Sequence, residues 1–500
     1  MPQTGTQTEI KVLPSGITPT YNETIVVLES PNIQSANFRW IIDIYKGDST
    51  HVDYEKLNTI TILPNPEGYG VVDFHRHIEN YIGTSFNPAD VDRVSDKVLD
   101  DGFVWSFQVT EIFDSPIVWA FDDNNFDGGD LVFESFTNKH PYVVGDVINI
   151  EQSVPFTHAS YNGDSTITAI IDEYTVKVNK SFISSTPVEG GVSTLNSTES
   201  REIEQVFTAG STTVKSFNGA LSFQGFRNWD ASDYLISTSS PNTTKFLING
   251  SNTIDVTLQD RVWINSLMDA SPFQALVITT DNGEFIYQNA FLSPAEQHFI
   301  NQNKIGAKDL LETTDTVIVS SGSLPVIDAN TTQIQIKAVS NTGTQVAELI
   351  TLNIVDKCSK HEAIRFFYLD KLGSYIPMTF DRVSKTNSTN TRSNYKQNYG
   401  NYDGVSNAWG YTSYTKGVTT YDLTTKEVVT CTSDWLNESQ VNMVLDMLTS
   451  PCVYIQDANG DYIAINITTN SFEHKKTVND KLMNYTISFE YAQTNTNQRG

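Results

Sequence analysis

Residues 38–44 read Phe38-Arg39-Trp40-Ile41-Ile42-Asp43-Ile44. Phe38, Trp40, Ile42 and Ile44 recur at every second position. A helix needs apolar residues three and four apart, whereas a period of two puts these four on one face of a strand. The neighbouring apolar runs, Ile25 to Leu28 and Ile60 to Leu63, are long enough to flank it, and Pro31, Pro64 and Pro66 mark the breaks between them.

The same alternation returns down the chain. It is seen at Ile148 and Ile150, at Tyr174, Val176 and Val178, at Ile334, Ile336 and Ala338, and at Ile350, Leu352 and Ile354. It recurs at Ile364, Phe366 and Tyr368, and at Tyr485, Ile487, Phe489 and Tyr491. The expected fold is mainly β, with multidomain β-sandwich and barrel modules, an SH3-like small barrel and a few short helices. Five segments are expected. They are an N-terminal β domain (1–138), the SH3-like small barrel (139–183), a linker or exposed loop (184–204), a β-sandwich with an inserted helix (205–357), and a C-terminal α+β domain (358–500) with a Tyr-rich loop at 385–420.

Helix and turn signals punctuate these segments. Asp73 to Ile82 predicts a short helix capped by Asp73. Ser293-Pro294-Ala295-Glu296 is a capping box with Pro at the first helical position. Asn437 and Gln440 form another, followed by an apolar stripe of Val441, Val444, Leu445 and Leu448 and a stop at Pro451. Hairpin turns are expected at Asn282-Gly283, at Asp370 to Gly373 and at Asn459-Gly460.

Composition limits the function. The 500 residues carry 32 Lys+Arg against 59 Asp+Glu, a formal net charge of -27, with only 18% charged residues, 39% hydrophobic and 11% aromatic. That is too apolar for a disordered chain and too acidic to wrap a phosphate backbone, so no direct sequence-specific nucleic-acid partner is expected. No apolar run reaches the ~18 residues that cross a bilayer, and the opening residues lack a secretory-signal pattern. The three cysteines, Cys358, Cys431 and Cys452, lie far apart without CxxC spacing, which argues against a disulfide scaffold or zinc site.

Three patterns bear on chemistry. Asp123, Asn125, Asp127 and Glu134 match the spacing of a calcium loop, but apolar runs on both sides read as strands, so a polar hairpin is the favoured reading. His75 and His77 stand two apart, which on a helix sends them to different faces. No nucleophile elbow, P-loop or dinucleotide fingerprint is present. Hence no enzyme activity and no cofactor are expected. The third pattern is Tyr395, Tyr399, Tyr402, Trp409, Tyr411, Tyr414 and Tyr421 among Asn, Ser, Gly and Thr. This mix resembles binding loops, where rigid aromatics give contact area and small polar residues adapt. Contact with another subunit is preferred over stacking on sugar rings.

Several segments resemble virion proteins of tailed phages and prophages of Bacteroidetes, crAss-like phages among them. They are YNETIVVLESPNIQSANFRWIIDIYKG (21–47), GYGVVDFHRHIENYI (68–82), FNGALSFQGFRNWDASDYL (217–235), HEAIRFFYLDKLGSYIPMTF (361–380), SDWLNESQVNMVLDMLTSPCVYI (433–455) and VNDKLMNYTISFEYA (478–492). The resemblance implies a tail, baseplate or neck component with no catalytic residues. It implies a protein made in the host bacterial cytoplasm and built into the virion. Its partners would be copies of itself in a ring of the tail or head–tail connector, and other tail or neck proteins. The alternative expectation is a receptor- or glycan-binding adhesion protein of the tail or baseplate, and a third is a glycan-degrading tail enzyme.

Overall fold

A computed structural model describes residues 8–493, apart from 15, 48–53, 85, 91, 98–100, 116–117, 128–129, 136–138, 153–162, 182–190, 196–200, 208–212, 269–270, 290–298, 356–359, 412, 415 and 472–482. The protein is mainly β, and the chain folds into two units assembled from alternating stretches of sequence. The first is 1–14, 23–74 and 105–214, and the second is 15–22, 75–104 and 215–500.

In the first unit, Ala36–Lys46 is the strand foreseen from its alternation, with Phe38, Trp40, Ile42 and Ile44 all buried. It pairs antiparallel with Glu55–Ile62 on one side and with Gly102–Ser115, from Trp105 onwards, on the other. Glu9–Val12, Ile25–Glu29 and Tyr69–Asp73 make a separate three-stranded sheet. Ring contacts tie the core together: Phe38 lies edge-on to Trp40 at 4.7 Å, and Phe74 lies 5.1 Å from Trp105 and from Phe107.

The same unit contains a seven-stranded antiparallel sheet. Its order is Asp123–Asp127, Asp130–Glu134, Thr175–Ser181, Gly163–Asp172, Val147–Gln152, Gly191–Leu195 and Val118–Phe121. The first and last strands of that order are joined through Asp122, so the sheet curls almost back onto itself around Trp119, Phe121, Phe133, Ile148, Ile150 and Val178. The expected boundaries at 139–183 are therefore too tight. Three strands within them cannot enclose a core, and four strands from either side complete it. The expected linker 184–204 is corrected as well, because it contains the strand Gly191–Leu195 and the start of Arg201–Phe207.

The second unit joins the expected sandwich and the expected C-terminal domain. A six-stranded sheet has the order Thr253–Val256, Ile350–Ile354, Gln333–Val339, Ala275–Thr280, Gly283–Gln288 and Val317–Gly322. A larger sheet runs Ser384–Lys396, Val418–Thr432, Thr486–Tyr491, Tyr462–Ile467, Val453–Gln456, Ile364–Leu369, Tyr375–Phe380, Trp263–Met268, Ile300–Lys304 and Ser95–Lys97. One core draws on both sheets, with Leu276, Ile278 and Ile336 beside Phe366, Tyr368 and Met378. No domain boundary falls at 357/358, since Trp263 pairs directly with Tyr375.

Helix Glu438–Thr449 begins as its sequence says. Asn437 Oδ1 accepts from Gln440 N at 2.9 Å, and Gln440 Oε1 accepts from Asn437 N at 3.1 Å. Val441, Val444 and Met447 are its buried face, while Leu445 and Leu448 are half-buried. The expected helix 73–82 is shorter, an α turn at His75–Ile78 followed by a 3-10 turn at Glu79–Tyr81. Asp73 ends a strand, and its carboxylate accepts from Thr24 N at 2.9 Å. The hairpin turn expected at Asn282-Gly283 is Asp281-Asn282, because Thr280 pairs with Gly283. The capping box at 293–296 lies outside the described residues.

Two buried polar pins brace this unit. Asp309 Oδ1 lies 2.7 Å from Arg261 Nη1 and accepts from Trp263 Nε1 at 3.1 Å, and its Oδ2 accepts from Val262 N and Gly306 N. Asp370 Oδ1 accepts from Leu372 N and Ser374 N, and its Oδ2 accepts from Asn249 N at 2.9 Å. The Asn249 amide in turn donates to Asp446 of the helix, which Lys371 Nζ meets at 2.7 Å. Full burial pushes the Asp370 carboxyl up to about 7; the three backbone donors pull it down, and the nearby Asp446 adds to the rise.

Candidate functional site

Residues 385–420, expected to be a loop, form most of a long two-stranded antiparallel arm. Ser384–Lys396 pairs with Val418–Thr432 along its whole length, from Ser384 opposite Cys431 to Lys396 opposite Val418. Thirteen residues of strand span about 44 Å. Beyond them, Gly400–Asp403 pairs with Ala408–Tyr411 to form the tip. The arm is rich in Thr and Tyr, which suit the pleated backbone, and Asn and Thr meet across it. Thr425 Oγ1 donates to Asn390 Oδ1 at 2.7 Å, and Thr420 Oγ1 donates to Asn394 Oδ1 at 2.6 Å.

The arm buries nothing until its root. No described residue from 384 to 428 is buried, and burial begins at Val429 and Cys431, where Thr486–Tyr491 joins the sheet. At the root Arg382 Nε meets Asp434 Oδ1 at 3.1 Å, and Tyr485 N donates to Ser433 Oγ at 2.9 Å. Burial pushes the Cys431 thiol up to about 12, so it stays protonated and inert.

All seven aromatics singled out from the sequence are exposed, from 46% at Tyr395 to 84% at Tyr414. The fold gathers Tyr399, Trp409 and Tyr411, with ring centres 5.2 Å apart for Tyr399–Tyr411 and 6.4 Å for Trp409–Tyr411. Tyr395 faces Tyr421 at 6.1 Å, whereas Tyr402 bonds through its hydroxyl to Asn407 at the tip turn. Two glycines set the ring positions. A Cβ at Gly400 would enter the Trp409 indole, and one at Gly417 would lie 2.7 Å from the Tyr399 ring, so each ring lies over bare backbone. Asp403 folds the tip turn. The Ser406 hydroxyl, then Val405 N, hold its carboxylate below the usual range.

The other expected sites come out differently. Asp123–Asp127 and Asp130–Glu134 form an antiparallel hairpin with Asp123 opposite Glu134, in agreement with the hairpin reading of the calcium-like spacing. Asn125 and Asp127 pair across it with Val132 and Asp130. His75 and His77 stand on one short turn, and among the described residues no three His, Cys, Asp or Glu side chains are placed to hold a metal. Cys431 is buried and Cys452 half-buried, while Cys358 lies outside the described residues. No described helix is long and apolar enough to cross a membrane.

Sequence reading missed a cavity of about 470 Å³ in the second unit, between Thr253–Val256, Tyr375–Phe380 and the start of helix Glu438–Thr449. Leu258, Ile354, Met378 and Met443 give it apolar walls, Asp255, Asn353 and Gln440 polar ones, and Arg365 is the one cation among the described residues that line it. Among the described residues that line it there is no histidine or cysteine. The spacing of its residues along the chain is too wide to have signalled it. No protein-family model matches the chain, and a search of curated proteins returns no significant match.

Proposed function

We propose that the protein is a structural subunit of a tailed-phage virion. In this reading it is built as a ring into the tail or head–tail connector, beside other tail or neck proteins. The observation that carries the assembly reading is the arm: 45 residues from 384 to 428 with no described buried side chain and seven exposed aromatics. A two-stranded ribbon is marginal in water on its own, and exposed aromatic surface is costly unless a partner covers it. The segments quoted above supply the phage assignment by resemblance.

The test has two parts. Full-length protein examined by light scattering and electron microscopy should form discrete closed oligomers, and Tyr399→Ser/Trp409→Ser/Tyr411→Ser should leave it monomeric. Mass spectrometry of particles should find the chain in the virion. A chain monomeric at high concentration and absent from particles overturns the proposal. The cluster of Tyr399, Trp409 and Tyr411, with Asn401 and Asn407 nearby in the tip, favours one second reading, an adhesion protein that stacks on host glycans. In that case binding to host surface polysaccharide would fall at least tenfold in Trp409→Ala/Tyr411→Ala.

A further inference from the structure

We infer that the arm of one copy docks on the sheet edge Val317–Gly322 of a second copy, so that the contact runs head to tail. This rests on the assembly reading and goes further, because it names the two surfaces that meet.

Charge selects the pairing. The arm, 384–432, carries Lys385, Arg392, Lys396, Lys416 and Lys426 against Asp403, Asp422 and Glu427. It is net +2 in a chain of -27, so the remainder is -29. Two arms side by side would set like charges together, whereas an arm on the body of the next copy sets opposite charges together and is steered there.

Edges select the place. Ser384–Lys396 ends its sheet, so its outer backbone groups face away from Val418–Thr432 for thirteen residues that include no proline. Val317–Gly322 ends the six-stranded sheet and pairs, among the described residues, with Gly283–Gln288 alone. Natural edge strands are usually guarded by charge, proline or cover. Glu9–Val12, Glu55–Ile62, Ser95–Lys97 and Thr253–Val256 each carry at least one charged residue. Val317–Gly322 carries no charge and no proline, and Ile318 and Val319 are 47% and 40% exposed. Acids stand near both its ends, Asp315 before Val317 and Asp281 in the turn beside Gly283, which faces Gly322. The pairing register skips Ser320, which bulges, so the regular docking edge is Val317 to Val319. Such a short edge gives register, and the arm aromatics give contact area. A heterologous contact of this kind closes a ring or extends a filament.

Complementation tests it on the full-length chain. The arm variant is Lys385→Glu/Arg392→Glu/Lys396→Glu, and the edge variant is Ile318→Lys/Val319→Lys. All five positions are exposed, so each variant should melt as the wild type does. If the reversal perturbs folding, Lys385→Gln/Arg392→Gln/Lys396→Gln serves with a smaller effect. Sedimentation should show each variant alone at least tenfold weaker in association than the wild type. The equimolar mixture should form dimers that grow no further, since one intact arm then meets one intact edge. If the wild type assembles but the mixture stays monomeric, or if the edge variant still associates, this inference is overturned and the assembly reading stands. A wild type that stays monomeric overturns both.

Discussion

Two hairpins of the same sheet share a backbone pattern and differ in everything else. Ile364–Leu369 and Tyr375–Phe380 read IRFFYL and YIPMTF, and nine of their twelve residues are buried. The arm reads SKTNSTNTRSNYK on its first strand and is exposed throughout that strand apart from a half-buried Ser393. In the first hairpin, burial of rings on both faces holds the strands, and Asp370 locks the turn. In the second, Asn–Thr and Tyr–Tyr pairs across the ribbon do the work. Each such pair contributes roughly 0.2–1 kcal/mol, enough to shape the ribbon and too little to make it rigid alone. One hairpin is buried within the chain, and the other leaves both its faces in water.

The contrast can be broken at its strongest point first. Phe366→Ala in the core hairpin should cost about 3–5 kcal/mol by chemical denaturation, whereas Tyr411→Ala in the arm should change stability by less than about 0.5 kcal/mol. An equal loss at both would mean that the arm is packed after all. Removing Asp309 is expected to cost a similar 3–5 kcal/mol, because Asp309→Ala leaves the buried Arg261 guanidinium with Glu312 but without its buried partner, and takes the acceptor from Trp263 Nε1, Val262 N and Gly306 N.

Next comes pH. Asp370 binds its proton more tightly folded than unfolded, so the folded chain holds more protons between about pH 4, the ordinary carboxylate range, and about 7. Stability contributed by this group is therefore full below pH 4 and falls as pH rises to 7, by at most about 1.4 kcal/mol per pH unit. Asp370→Asn should remove that slope, measured as melting temperature against pH. A smaller effect, about 1 kcal/mol, is expected for Asn437→Ala at the helix cap. The finest test is hydrogen exchange of the free chain. Amides of 384–428 should exchange much faster than those of 364–380, and should slow when copies associate.

The two hairpins also differ in how legible they were. Ile364, Phe366 and Tyr368 alternate with a buried face, and the Asp370–Gly373 turn stands between two apolar runs, so the first was readable. Alternation appears only where one face is dry. Both faces of the arm are wet, so its period-two signal vanished and it read as a loop, although its Thr and Tyr content favoured a strand. The seven aromatics were visible as residues, but not their gathering into Tyr399, Trp409 and Tyr411, which depends on Gly400 and Gly417 giving bare backbone to the rings. The cavity was illegible because its walls come from four distant stretches.

The amino-acid sequence by itself determined the β class, the strand at 36–46, the helix cap at Asn437, the turn before Tyr462 and the inventory of aromatics. Each rests on residues within a few positions of one another, where steric preference and local hydrogen bonds decide. Tertiary structure alone decided which strands became neighbours: Ser95–Lys97 beside Ile300–Lys304, Val118–Phe121 beside Gly191–Leu195, and one core across 357/358. Those pairings join residues far apart in the chain, and pattern carries no information about partners at that range. The same holds for the arm, where nothing local decides whether a polar ribbon is left uncovered.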